Sequence, residues 1–508
     1  MWLTNIKIFI AWKLRNEAPE EEKNTLECEG KEMGLFVRKA QNDEKGKARD
    51  SVPKEKQGSG DTACGGVQKS FRCPYCFEKI FARGVAFRAM TAYTQQDLDD
   101  FSGDEREKKK LYVLSSDELY EKFWNKYPGS KPEDTERSRT YERNPVISQF
   151  DARFLTNSRF TDGSRLIFKE DEDGFLNEVI DTEGNHSKIR ICPHCHNRLP
   201  FEFGKYPIKY IPVVGITSSG KTVYLSQMLG KIKEILARAD MTVAGLCPEV
   251  DDFVKNHTIR RGQNLPGGNA TNVLTTPVPV NVKNNKDGRR FTLVFYDIAG
   301  ENCVDADQME RYGRFIRNAD GIIMIMDPRQ FTDLVYLGND DEDNMDDDIY
   351  SPDKVVAAMY TAFVSADFAG GESDIPLAAS LSKSDLLKGT GVIGDYSNMF
   401  QNIRYNDYEV CGFPYDDWVN INTEVKMLLS RKSIKGKILD NDLKQFFPNH
   451  AYFAFSALNG APVVWEDGNT KGYQMEVNPE AVRVEEPLFW VLYKLQILDK
   501  AIKNTKKR

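Results

Sequence analysis

The stretch from Ile208 to Leu229, IKYIPVVGITSSGKTVYLSQML, constrains the fold more than any other part of the chain. A short β-branched run leads into GITSSGKT, and Val223, Leu225, Met228, Leu229, Ile232, Ile235 and Leu236 then recur at helical spacing. Residues Gly215 to Thr222 fit the pattern G-x-x-x-x-G-K-[ST]. A buried strand, a glycine-rich turn and a helix N-terminus are therefore expected in succession. In that arrangement backbone N–H groups converge on phosphate oxygens and the helix dipole assists them. The expected nucleotide contacts are Gly215, Thr217, Ser218, Ser219, Gly220, Lys221, Thr222 and Val223. Lys221 would place its charge on the β- and γ-phosphates, and the Thr222 hydroxyl would ligate Mg²⁺.

From Tyr206 onward strand-like runs alternate with helical patterns, the signature of an α/β fold with a mostly parallel sheet covered by helices on both faces. FTLVFYDIAG is a strand with Asp297 at its C-terminal end, where ligands bind in such sheets. Asp297 suits Mg²⁺, and the Gly300 backbone N–H can reach a γ-phosphate. Upstream, strands over 277–283 and 291–296 form a hairpin that brings Thr275 and Thr276 to Asp297, as further Mg²⁺ candidates. IPLAASLSKSDLL is a strand ending in Ser382-Lys383-Ser384-Asp385. A carboxylate there accepts two hydrogen bonds from guanine, which adenine cannot offer, and the Lys383 stem can lie along a base plane. HAYFAFSALNG is a strand ending at Ser456 and Ala457, where a backbone N–H would meet guanine O6. EEPLFWVLYKLQIL reads as the last helix.

The order GxxxxGKT, Thr, DxxG, SKxD and SAL resembles the motif set of the translation-factor-like GTPases, the class that includes Ras-like proteins, over residues 206–500. The resemblance implies a P-loop GTPase fold and Mg²⁺-dependent hydrolysis of GTP coupled to a switch in partner binding. Lys221, Gly300 and Glu301 would be its catalytic positions. Lys383 and Asp385 would read guanine, with Ser456 and Ala457 in support. Two departures stand out. Ser382 occupies a place the family usually gives to Asn, and Glu301 a place where Ras-like proteins carry a water-orienting Gln. A carboxylate there repels the γ-phosphate, so slow hydrolysis that needs a partner is expected. Arg260 and Arg261 are weak candidates for an arginine supplied in cis. The segment before Thr275 and residues 386–450 exceed a minimal GTPase and are expected to carry protein partners. A P-loop ATPase or kinase and a non-hydrolysing nucleotide-dependent scaffold are the rival readings.

Nine cysteines include CPYC at Cys73–Cys76 and CPHC at Cys192–Cys195. Each spacing lets two thiolates face one cation, and together they would make a closed, structural Zn²⁺ site. The 115 residues between Cys76 and Cys192 require an insertion between the knuckles or separate sites. His194 and His196 are alternative ligands, and a redox dithiol is the other reading. The layout loosely resembles bacterial GTPases with N-terminal zinc ribbons from conflict systems, which implies protein partners. Three regions follow: an N-terminal strand and polar linker over 1–70, a β-rich zinc-ribbon-like module over 71–205, and the nucleotide-binding domain over 206–508.

The net charge of −8 argues against a nucleic-acid binder. No run of eighteen apolar residues is present, so no membrane span is expected. MWLTNIKIFIAWK lacks a positive n-region, and Ile6, Ile8, Ile10 and Trp12 alternate as in a strand. With an odd cysteine count, a cytoplasmic protein is expected. The acidic run at 339–348 lacks the glycine and glutamate spacing of a calcium loop and reads as a solvated surface.

Overall fold

Ile208–Val214 (β1) buries side chains on both faces and stands at the middle of a seven-stranded sheet. The other strands are Met241–Leu246 (β2), Val278–Asn284 (β3), Arg290–Asp297 (β4), Ile322–Met326 (β5), Leu377–Leu381 (β6) and His450–Ala454 (β7). Their order is β2-β3-β4-β1-β5-β6-β7. The five strands from β4 to β7 across the sheet are mutually parallel, while β3 runs antiparallel to both β2 and β4. Parallel strands covered on both faces carry continuous apolar runs. Accordingly every residue of β5, Ile-Ile-Met-Ile-Met, is buried.

The computed structural model describes residues 68–128, 130–131, 144–149, 166–268, 270–331, 333–334, 351–364, 371–467 and 470–504. All fall in one unit, residues 60–508. The strand expected at Ile6–Trp12, most of the linker and the acidic run at 339–348 lie outside the described residues.

Period-two alternation sorts the strands' side chains into two cores. Ile211, Val213, Leu293, Phe295, Ile323 and Ile325 face one side. There they meet Tyr224, Leu225 and Met228 of helix Lys221–Gly230 (α1), and Leu488, Phe489 and Trp490 of helix Glu486–Lys494 (α2). Tyr210, Val214, Val294, Tyr296, Ile322, Met324 and Met326 face the other side. They share a core with residues 309–316, the long helix Tyr415–Lys432 and the two cysteine loops. The Tyr296 hydroxyl donates to Pro74 O at 2.8 Å and the Tyr210 hydroxyl to Arg72 O at 2.9 Å. Central strands thus reach directly into the first cysteine loop.

The expected hairpin before Asp297 is present as β3 and β4, with Val278 opposite Phe295. Unforeseen elements are the edge strand β2 and the hairpin Val463–Asp467 with Thr470–Gln474. The polar stretch after residue 95 includes helix Glu118–Trp124, which buries Tyr120, Phe123 and Trp124.

A buried polar network closes the C-terminal helix. Glu486, fully buried at the start of α2, pairs with Arg483 at 2.5 Å, and Arg483 also holds Asp417 at 2.7 Å. Burial pushes the Glu486 carboxyl up to about 8 from an ordinary 4.5, while Arg483 pulls it the other way. The native state therefore holds this proton more tightly than the unfolded chain does. The associated stability is complete below the ordinary value and drains away as pH rises toward 8. A Glu486→Gln variant is expected to melt near the wild-type temperature at about pH 5 and above it at about pH 8. Parallel melting curves at both pH values would show that Glu486 carries no such proton.

Candidate functional site

The phosphate-loop sequence joins β1 to α1 as its pattern requires. Gly215 adopts φ 150°, and a Cβ there would sit 2.3 Å from Ile325 O, so only glycine lets the loop lie this close to β5. The Lys221 ammonium folds back over the loop, donating to Gly215 O at 2.8 Å and Ile216 O at 2.9 Å. Thr217 Oγ1 and Ser219 Oγ are buried and have no hydrogen-bond partner among the described residues. Ser218 is exposed, and Val223 is half-buried on the first turn of α1.

The Thr222 hydroxyl donates to Asp297 Oδ2 at 2.6 Å, bringing two hard oxygen donors together at the start of α1 and the end of β4. Thr275 is half-buried and donates to Asp297 O at 3.0 Å, whereas Thr276 is exposed. Gly300 lies so close to the loop that a Cβ would be 2.2 Å from Thr217 N. Glu301, which follows it, is exposed. Arg260 and Arg261 are exposed as well. Their segment pairs with the C-terminal hairpin, Gly262 N donating to Met475 O at 2.9 Å and Leu265 N to Tyr473 O at 2.8 Å.

The loops after β6 and β7 come to the same edge. The Ser382 hydroxyl lies 2.7 Å from Ser219 O and 3.0 Å from Met326 O. Ser382 thus tethers the loop after β6 to the Gly215–Thr222 loop. Lys383, at φ 49°, donates to Ser218 O at 2.8 Å and to Asp327 Oδ2 at 2.5 Å. Its stem passes over Gly220, where a Cβ would meet Lys383 Cε at 3.8 Å. The Ser456 hydroxyl donates to Asp385 Oδ1 and accepts the Asn459 N–H at 2.8 Å. Ala457 is buried beside it.

Asp327 was not anticipated. It directly follows β5, is almost fully buried, and also binds Arg329 at 2.7 Å. Burial pushes its carboxyl up, but Lys383 and Arg329 together hold it below the usual range. Burial pulls the Lys383 ammonium below its ordinary value despite Asp327. The signal available in the sequence was Asp-Pro-Arg directly after an apolar run.

The cysteine loops, far apart in sequence, meet. The four sulfurs of Cys73, Cys76, Cys192 and Cys195 lie within 4.8 Å of one another. Contacts across the pairs are 3.7 Å, Cys73 to Cys195 and Cys76 to Cys192. Tetrahedral thiolate ligation at about 2.3 Å implies sulfur separations of about 3.8 Å, so the donor set fits a zinc-sized ion. Tyr75 N–H and His194 N–H point at Cys73 and Cys192 from 3.4 and 3.3 Å. Asn197 Nδ2 donates to Cys195 at 3.2 Å and its Oδ1 accepts from Trp124 Nε1 at 2.9 Å, giving the sulfurs an oriented outer shell. His194 Nε2 lies 3.1 Å from Lys79 O and His196 Nδ1 2.7 Å from Asp117, so both rings are engaged elsewhere. Asp117 also pairs with the buried Arg88.

Among the described residues no helix is long and apolar enough to cross a membrane. No family model matches the chain, and no curated protein matches it. Among solved structures, translation elongation factor SelB from Methanococcus maripaludis, in complex with the GTP analogue GppNHp, aligns at 11% identity with a TM-score of 0.20. That alignment covers 49% of this chain and 30% of the factor, so the chain spans less than a third of that protein's length.

Proposed function

We propose that the chain is a GTP-binding protein that hydrolyses GTP and couples the loss of the γ-phosphate to partner binding. The observation that carries this reading is the linkage of three loops. Ser382 and Lys383 bond to the phosphate-loop carbonyls of Ser219 and Ser218, and Asp385 is oriented by Ser456. A phosphate cradle is thereby tied to a fixed carboxylate that can accept the paired N–H donors of guanine.

Lys221 and the loop N–H groups bind the β- and γ-phosphates, and the orphaned Thr217 and Ser219 hydroxyls are further donors. Thr222 and Asp297, with Thr275 or Thr276, would hold Mg²⁺, which when bound neutralises phosphate charge. The cysteine cluster would hold structural Zn²⁺, leaving no position for water. The division near residue 205 into a zinc module and a nucleotide-binding domain belongs to this reading. So do a cytoplasmic location and protein partners at the module and the insertions.

The test is affinity for GTP, GDP and ATP in the presence of Mg²⁺, for wild type and Asp385→Ala. Guanine preference is expected, and the variant should lose about 100-fold in GTP affinity with ATP binding unchanged, as befits the loss of two charge-assisted hydrogen bonds. Equal ATP binding, indifferent to the substitution, would favour the ATPase or kinase reading instead.

A further inference from the structure

The exposed Glu301 leaves the hydrolytic site without an amide at the place where the resemblance expects one. The next residue has the missing chemistry. Asn302 is 1% exposed and lies on the short turn Glu301–Cys303. That turn is pressed along the phosphate loop. Gly300 abuts Thr217, where a Cβ would fall 2.2 Å from Thr217 N. Asn302 Oδ1 accepts the Asn272 N–H at 3.4 Å, from the segment that leads to Thr275. Its Nδ2 is buried and has no hydrogen-bond partner among the described residues. A buried amide donor without a partner is costly, so a site that retains one has a use for it when the ligand arrives. Thr217 Oγ1 and Ser219 Oγ are orphaned on the adjoining loop.

We infer that Asn302 is a catalytic residue for GTP hydrolysis, its Nδ2–H donating to a γ-phosphoryl oxygen. This rests on the proposed GTPase reading. Water attacks the γ-phosphorus and forms the new P–O bond as the bond to the β–γ bridging oxygen breaks. The electron pair stays on GDP, and the water proton passes to the released phosphate. The Asn302 donor stabilises charge on the phosphoryl group in flight. Its anchor to Asn272 couples the turn to the Thr275 segment, so the donor is in place only when both segments are seated.

The experiment measures GTP affinity and phosphate release for full-length wild type, Asn302→Ala and Asn302→Asp with Mg²⁺. Both variants are expected to lose about 100-fold in kcat, the usual cost of one charge-stabilising donor, with KM within about threefold of wild type. Asn302→Asp has a second signature. Its kcat should recover as pH falls, because a protonated carboxyl regains an O–H donor of similar reach, and a purely structural role produces no such recovery. Wild-type turnover in both variants would overturn the assignment, as would parallel losses of affinity and rate without recovery at low pH. A wild-type chain that binds GTP but does not cleave it would also overturn it while leaving nucleotide binding intact. A wild type that binds no guanine nucleotide would remove the reading beneath it.

Discussion

Cys192→Ser is expected to lower the melting temperature of the whole described unit by at least about 10 °C and to abolish bound zinc. Cys192 is fully buried, 3.7 Å from Cys76, in a cluster whose dimensions match a tetrahedral thiolate site. Serine offers a harder, shorter donor that cannot complete such a set. Three thiols, two of them buried, would then be left around an ion that no longer binds. Structural zinc contributes about 10 kcal/mol or more in small isolated modules. Most of that, about 8 kcal/mol, is what moves the midpoint of a unit as large as residues 60–508 by about 10 °C. The loss should not stay local. Phe71, Cys73, Cys192 and Cys195 share one core with Tyr210, Tyr296 and Phe315 of the sheet side. Tyr296 and Phe315 stack at 4.3 Å, and the tyrosine hydroxyls bond the first cysteine loop. Calorimetry and metal analysis of the purified chain check this. Equal melting temperatures with and without the fourth thiol, or a metal-free wild type indifferent to chelators, would remove the structural-zinc reading.

The parts of the site legible in sequence share one property: each follows a β-branched or apolar run. Gly215–Thr222 follows β1, Asp297 ends β4, Ser382–Asp385 follows β6 and Ser456 follows β7. In a parallel sheet the C-terminal ends of strands lie along one edge, so local pattern alone brings distant motifs together. The two cysteine pairs were legible as pairs for the same local reason, their spacing. Their meeting was not, because nothing in the intervening 115 residues encodes a contact across that distance. What packs beneath them was hidden as well. Glu118–Trp124 sits within a polar stretch, and its three aromatic side chains declare a buried face only once Trp124 finds Asn197. Asp327 and Asn302 belong to a second illegible class. Their types are ordinary in loops, and only burial plus partners, two cations for Asp327 and an unmatched N–H for Asn302, sets them apart. The strand β2 is short and includes Gly245, and its pairing with β3 shifts register between Val243 and Leu246, which blurs any period-two signal.

Lys221→Met is expected to reduce GTP affinity by about 100- to 1,000-fold while changing the melting temperature little. The methionine keeps most of the aliphatic stem and removes only the ammonium. That ammonium bonds two loop carbonyls, Gly215 O and Ile216 O, from a position 7% exposed. Those two bonds preorganise the loop and set a buried positive charge among its backbone N–H donors. Hydrogen bonds to charged groups are worth about 1.5–3 kcal/mol each, and an ammonium facing two phosphates makes about two, or about 3–4 kcal/mol after loop rearrangement. Each 1.4 kcal/mol is about tenfold in affinity. The aliphatic stem is kept, so the cost to the fold is confined to the two lost carbonyl bonds. Titration with a fluorescent GTP analogue measures the affinity, and a calorimetric scan of the same samples measures the fold. Affinity within threefold of wild type would show that phosphates bind elsewhere. A collapse of melting temperature would show that Lys221 is structural first, its two carbonyl bonds holding β1 against α1.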